Sequence, residues 1–220
     1  MSFLPQCRIH KVKEVEGKTE KLYLDQEIIV FVGPEGAGKT TQAKKLAQDS
    51  GSLYLTTGEI LRDLAANDNG PLGDRCRAMF AAHEYLDGET LLQVLKHRLN
   101  RRDTANGFIL DGGLRTLPET TNFQSVLEEA GRAFPVTVIH LRIPGWLSFE
   151  RLVLGEEARK RVDDTYEGVA GRLAKYYYQL NERIGTIEKQ PSWKLVHINA
   201  TESVDQVYEA VCAALGTNRW

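Results

Sequence analysis

Between Phe31 and Gln42 the chain reads FVGPEGAGKTTQ, and Gly33 to Thr40 of that stretch satisfies G-x-x-x-x-G-K-[ST]. Few short sequences restrict a fold so tightly. Backbone N–H groups converge on phosphate oxygens only if the loop wraps closely, and the wrapping needs glycines in conformations that side chains forbid. The pattern works where a buried strand leads in and a helix leads out, because the helix N-terminus turns its positive end to the same anion. Both flanks are present. EIIVFVG (27–33) is a short apolar, β-branched run of the kind buried on both faces of a parallel sheet. KTTQAKKLAQDSG reads as a helix stopped by Gly51. The motif therefore predicts a loop for the phosphates of a nucleoside triphosphate, with Gly33, Glu35, Gly36, Ala37 and Gly38 as its cradle. Lys39 would reach the β- and γ-phosphates, and the hydroxyl of Thr40 or Thr41 would meet Mg²⁺ or a phosphate oxygen.

Further apolar runs alternate with helical patterns. SLYLTTG, GFILDGG, VTVIHLRI and WKLVHIN read as strands. EILRDLAANDNG, LGDRCRAMFAAHEYL, GETLLQVLKHRLNRRD and SVDQVYEAVCAALG read as helices, and TYEGVAGRLAKYYYQLNERIGTIEKQ as one long helix. Such alternation predicts an α/β fold, a five-stranded parallel sheet wrapped by helices through right-handed crossovers. A chain of 220 residues holds one well-buried core with small inserted lobes. Residues 1–26 form an N-terminal extension, read as a hairpin around Glu16 and Gly17. The net charge of −2 argues against a general nucleic-acid partner. No apolar run approaches the roughly 20 residues that span a bilayer, and the N-terminus lacks a secretory leader. Cys7, Cys76 and Cys212, odd in number and widely spaced, suit neither a disulfide framework nor a zinc site. The reading is a cytoplasmic protein with no membrane partner.

The loop EGAGKTTQ (35–42) is similar to that of adenylate kinases and other nucleoside monophosphate kinases. In most of them glycine follows the lysine, where this chain has Thr40, so that their threonine falls on Thr41. LTTGEILR (55–62) resembles their S-T-G-D-x-L-R stretch, and NGFILDGGLRTLPE (106–119) their N-G-F-x-L-D-G-F-P-R-T-x-P-Q. KRVDDTYEGVAGRL (160–173) resembles R-x-D-D…R-L, and INATESVDQVYEAVCAAL the C-terminal strand, nucleotide loop and helix. The likeness runs in the family's order over about residues 27–216.

The resemblance implies a P-loop NTPase fold with a monophosphate-binding lobe at about 57–86 and a short lid at about 152–163. It implies Mg²⁺-dependent transfer of the γ-phosphoryl of ATP to a nucleoside monophosphate, AMP first, by a monomer. Arg62 and Arg115 fall on arginines that bind the acceptor's phosphate, and Asp111 on the carboxylate that orients Mg²⁺ through water, beside the Thr40 hydroxyl. Arg161 and Arg172 match two arginines that converge on the transferred group, and Arg151 the arginine that stacks on adenine. Thr57, Gly58, Leu86 and Gly112 fall at the acceptor site. Bringing two polyanions together calls for cationic groups from several segments.

The chain also departs from the pattern. Short-lid members carry a further arginine where this chain has Gly155, and Arg159 is the nearby candidate to replace it. DGGLR replaces D-G-F-P-R, which predicts a looser loop beneath Arg115. Glu119 takes the place of a glutamine that reads adenine. A carboxylate only accepts hydrogen bonds, so a guanine acceptor stays open, as do pyrimidine and deoxy nucleotides. A nucleotide-binding protein with little transfer activity is the other alternative. His83 stands at a glycine position and reads as a helix histidine, Tyr176, Tyr177 and Tyr178 as packing, and Trp146 and Trp193 as core or rim.

Overall fold

Glu27–Val32 forms β1, the central strand of an all-parallel sheet, in a computed structural model that describes residues 24, 26–82, 86–156, 158 and 164–216. The hairpin expected in the extension, His83, Arg159 and Arg161 lie outside the described residues. The other strands are β2 (Tyr54–Thr56), β3 (Gly107–Asp111), β4 (Val136–Arg142) and β5 (Trp193–Asn199). The order is β2-β3-β1-β4-β5, five strands as the alternation of runs predicts. In register, Phe31 of β1 lies beside Asp111 of β3, and Val32 beside His140 of β4. The carboxyl ends of β1, β3 and β4 thus share one edge of the sheet, where ligands bind in open α/β folds.

Among the described residues the helices are α1 (Lys39–Ser50), α2 (Thr57–Asn67), α3 (Pro71–Ala82), α4 (Gly88–Leu99), α5 (Leu117–Glu129), α6 (Gly145–Phe149), α7 (Tyr166–Tyr178), α8 (Leu180–Glu188) and α9 (Val204–Ala214). Every residue of β1 is buried, as an apolar run covered on both faces requires. Its Ile28, Val30 and Val32 join Phe108, Leu110 and Val138 against residues of α2, α4, α5 and α8. Ile29 and Phe31 join Ile109, Ile139 and Leu141 against α1 and α9.

Two helices come without periodicity to announce them. The signal for α5 is chemical: Thr116 caps it, Pro118 sits in its first turn, and Glu119 completes a capping box. The short α6 runs on into a π turn, Glu150–Leu154. The long helix expected from residue 165 onward is two, broken at Gln179, whose φ and ψ are −115° and 18°. Beside the break, Nη2 of Arg183 donates to the Tyr176 carbonyl at 2.5 Å. The three tyrosines before it part company. Tyr176 packs against the core, whereas Tyr178 is 85 % exposed, so packing does not describe all three. Trp146 is 68 % exposed, on the rim, while Trp193 packs edge-on against Phe123.

His140 lies buried between β5 and α7. Its Nδ1 is 3.0 Å from Nδ1 of His197 and its Nε2 2.9 Å from the Tyr176 hydroxyl. Burial, then the neighbouring His197, Arg142 and Arg183, lower its pKa to about 4. The stabilisation contributed by the neutral ring is therefore complete above its ordinary value of 6.5 and is lost as the pH falls toward 4. The difference amounts to roughly 3 kcal/mol. Urea unfolding at pH 7 and pH 4 should show His140→Phe losing less stability over that interval than the parent protein, by about that amount. Equal losses would mean that His140 is not the group that titrates.

Candidate functional site

The loop leaves β1 at Val32 and enters α1 at Lys39. Gly36 and Gly38 have φ of 80° and 84°, the left-handed conformation for which the motif reserves its glycines. Gly38 is also the N-cap of α1 and offers no side-chain cap, so no side chain competes with an anion for the amides there. Nζ of Lys39 folds back over the loop and donates to the carbonyls of Gly33 and Pro34, at 2.8 Å each.

An oxygen cluster faces the loop from β3. Oδ2 of the buried Asp111 accepts from the Thr40 hydroxyl at 2.6 Å and from the Tyr54 hydroxyl at 2.9 Å. Thr40 rather than Thr41 is thus the hydroxyl joined to the strand-end carboxylate. The part of Tyr54 was not legible in sequence, because only the pairing of β2 with β3 brings it there. Burial first, then the Asp111 charge, pushes the Tyr54 phenol well above its ordinary pKa, so it stays a donor.

Cationic side chains arrive from separate elements. Arg151, in the π turn, donates from Nη1 to the Gly36 carbonyl at 3.0 Å and from Nη2 to that of Ala200 at 3.1 Å, joining the phosphate loop to the β5–α9 connection. Arg172 crosses from α7, with Nε 2.8 Å from Glu35 in the loop and Nη2 2.8 Å from the buried Asp164. Arg115 is exposed after β3, its Nε donating to the Gly112 carbonyl at 2.5 Å. The Thr57 hydroxyl donates to the same carbonyl at 3.3 Å, which draws the start of α2 to the end of β3. The exposed Arg62 lies along α2 over Gly58. Leu86 stands apart as a half-buried residue against the core.

Gly155 has a structural reason. Its N–H closes the π turn on the Glu150 carbonyl at 2.8 Å, and a Cβ there would lie 2.8 Å from the same oxygen. An arginine does not fit that turn as it is built.

The turn from Asp111 to Glu119 overturns the expectation of looseness. A Cβ on Gly113 would fall 2.5 Å from Cδ2 of Leu110, so the absent side chain reflects close packing. Leu114 is fully buried at φ 55°. A leucine held left-handed costs about 1–2 kcal/mol, and such strain persists where the surroundings over-determine it. Glu119 does not extend into the cleft. It is fully buried, and its oxygens accept from the N–H groups of Leu114 (3.1 Å), Arg115 (2.8 Å) and Thr116 (3.3 Å). Burial pushes its carboxyl above the usual range, against the amide donors and the nearby Arg115, which favour the charged form. Sequence reasoning also passed over Arg183. Only 1 % exposed, it donates from Nη1 to the Leu114 carbonyl at 2.8 Å. The signal was an arginine one turn before Ile187, on the apolar face of α8.

Comparison with known proteins places the chain in a family. The family model for adenylate kinase matches residues 31–191, from the end of β1 to just past α8. An adenylate kinase of Xanthomonas campestris pv. campestris (strain 8004) is 34 % identical over 189 residues, covering 86 % of this chain and 98 % of that protein. One from Methanosarcina mazei is 31 % identical over 213 residues, covering 85 % and 97 %. Matched through most of its length, from the phosphate loop to the arginine-bearing helix, this chain belongs to the adenylate kinase family.

Proposed function

We propose that the protein transfers the γ-phosphoryl group of ATP to a nucleoside monophosphate, with AMP as acceptor and two ADP as products. The observation that carries this reading is the gathering of Lys39, Thr40, Asp111, Arg151 and Arg172 on one glycine-rich loop, with Arg115 at the adjoining strand end. An oxygen of the acceptor's phosphate attacks the γ-phosphorus, and the bond to the β–γ bridging oxygen breaks. Little covalent chemistry falls to the protein, which positions both nucleotides and neutralises charge.

The loop amides and Lys39 hold the donor's phosphates. Arg172, and Arg161 in the same role, meet the group in flight, while Arg115 and Arg62 hold the acceptor phosphate. Guanidinium forks suit these oxygens better than an ammonium does. Thr57, Gly58, Leu86 and Gly112 border the acceptor, and Arg151 the adenine of ATP. Thr40 and Asp111 offer adjacent hard oxygens, which fit Mg²⁺, Thr40 directly and Asp111 through water. When bound, the ion would neutralise charge on the β- and γ-phosphates.

The case for a guanine acceptor rested on a carboxylate at position 119 facing the base. Both Glu119 oxygens are engaged by backbone amides instead, which removes that argument for guanine and supports AMP. Diphosphate formation from Mg-ATP should be measured with AMP, GMP, CMP, UMP and dTMP in turn. AMP should exceed the others in kcat/KM by about tenfold or more. Tight ATP binding without turnover on any acceptor would refute the reading.

A further inference from the structure

Glu119 engages more backbone than a helix cap requires. In a capping box the glutamate returns to one amide, that of the cap residue. Here three consecutive amides, those of Leu114, Arg115 and Thr116, converge on one buried carboxylate. From the opposite side, Arg183 of α8 binds the Leu114 carbonyl at 2.8 Å. The N–H and the C=O of Leu114 are thus held by Glu119 and Arg183 from two helices, with its side chain buried and its φ at 55°. Arg115 follows directly, and its own amide is one of the three. Leu117, two residues after Arg115, also meets α7–α8, its N–H directed at Oε1 of Gln179 at 3.4 Å. The turn that carries Arg115 is therefore anchored on α5 and on the α7–α8 junction together.

We infer that Glu119 and Arg183 are positioning residues that clamp the Leu114 backbone and so aim Arg115, and that Glu119 takes no part in reading the acceptor base. The inference rests on the phosphoryl-transfer reading, since aiming Arg115 matters only if it meets an acceptor phosphate. Its consequence is a division of labour: position 119 sets where the acceptor's phosphate sits, and base selection falls to other groups.

Glu119→Gln separates the alternatives. Glutamine serves a capping box as well as glutamate, but its NH₂ cannot accept a hydrogen bond. Whichever way the amide is turned, at least one of the three N–H groups faces a donor. On the full chain, kcat and KM should be measured for AMP and for GMP at saturating Mg-ATP, together with KM for ATP and amide hydrogen exchange at Leu114 and Arg115. Misplacing a phosphate-binding group by about 1 Å costs on the order of 10²-fold. The expected result is a fall in kcat/KM of about 10–100-fold, by the same factor for both acceptors. KM for ATP should stay nearly constant, and exchange at residues 114 and 115 should accelerate while the β1 amides stay protected. Arg183→Met, which keeps an unbranched apolar stem but no donors, should reproduce the pattern.

Unchanged kinetics and exchange in Glu119→Gln would reduce Glu119 to a cap and overturn the inference. So would a shift in the AMP-to-GMP ratio, which would make it a base reader. A parent protein inactive on every acceptor would instead refute the transfer reading, and with it the purpose of the clamp. The exchange rates would still report whether the clamp exists.

Discussion

Lys39→Ala should lower turnover about 10³-fold, the scale on which one well-placed charge acts in phosphoryl transfer. The Lys39 ammonium lies over the loop, 2.8 Å from two of its carbonyls, at the place where triphosphate oxygens would lie. On the phosphoryl-transfer reading those carbonyls hold it until the phosphates take over, and the alanine variant supplies neither the charge nor the tie. Lys39→Arg should not restore the rate, because a planar fork differs in shape and reach from a compact ammonium. Single-turnover rates at saturating Mg-ATP, with urea unfolding as a control for the fold, would measure the loss. A reduction of less than tenfold would remove Lys39 from the chemistry.

The largest effect on stability is expected from Leu114→Pro, at least about 4 kcal/mol. Proline fixes φ near −65°, whereas Leu114 sits at 55°. It also has no N–H for Oε1 of Glu119 and fills a fully buried leucine site poorly. Leu114→Gly is the natural comparison. It keeps the amide and relieves about 1–2 kcal/mol of left-handed strain, but loses the buried side chain, for a net cost of about 2 kcal/mol. Urea unfolding of both variants should rank proline below glycine by at least about 2 kcal/mol. The reverse order would show that the turn is not built as described. With a total stability of about 5–15 kcal/mol, a domain tolerates few such losses. The D-G-F-P-R pattern places proline at this position, so the departure in this chain is a different backbone path rather than a looser one.

Much of this protein is legible in its residues. After Glu27 the run IIVFV has no polar position to leave exposed, so it had to become a strand covered on both sides. Gly36, Gly38 and Lys39 sit at spacings that serve one purpose, and the loop has the conformation they demand. The helix end marked by Gly51 is where that residue caps. The part of Tyr54 was hidden because its partner Asp111 is 57 residues away, and only strand order places them side by side. The break at Gln179 was hidden because its neighbours suit a helix on both sides, and periodicity does not register a carbonyl taken over by Arg183.

Glu119 shows where the division falls. As a letter it stood at a position associated with a base-reading glutamine, and its chemistry allowed an acceptor for guanine. The same letter, three residues after Thr116, was also the end of a capping box. Both readings were local and equally lawful. The residues alone specify the phosphate loop and the parallel sheet, because each depends on short-range backbone geometry or on repeated burial, whereas the cationic residues were assigned through the resemblance of their motifs. Which way Glu119 turns is settled by long-range packing, because that depends on desolvation and on three amides oriented by a buried Leu114, itself held by Arg183 from a helix 69 residues further along the chain.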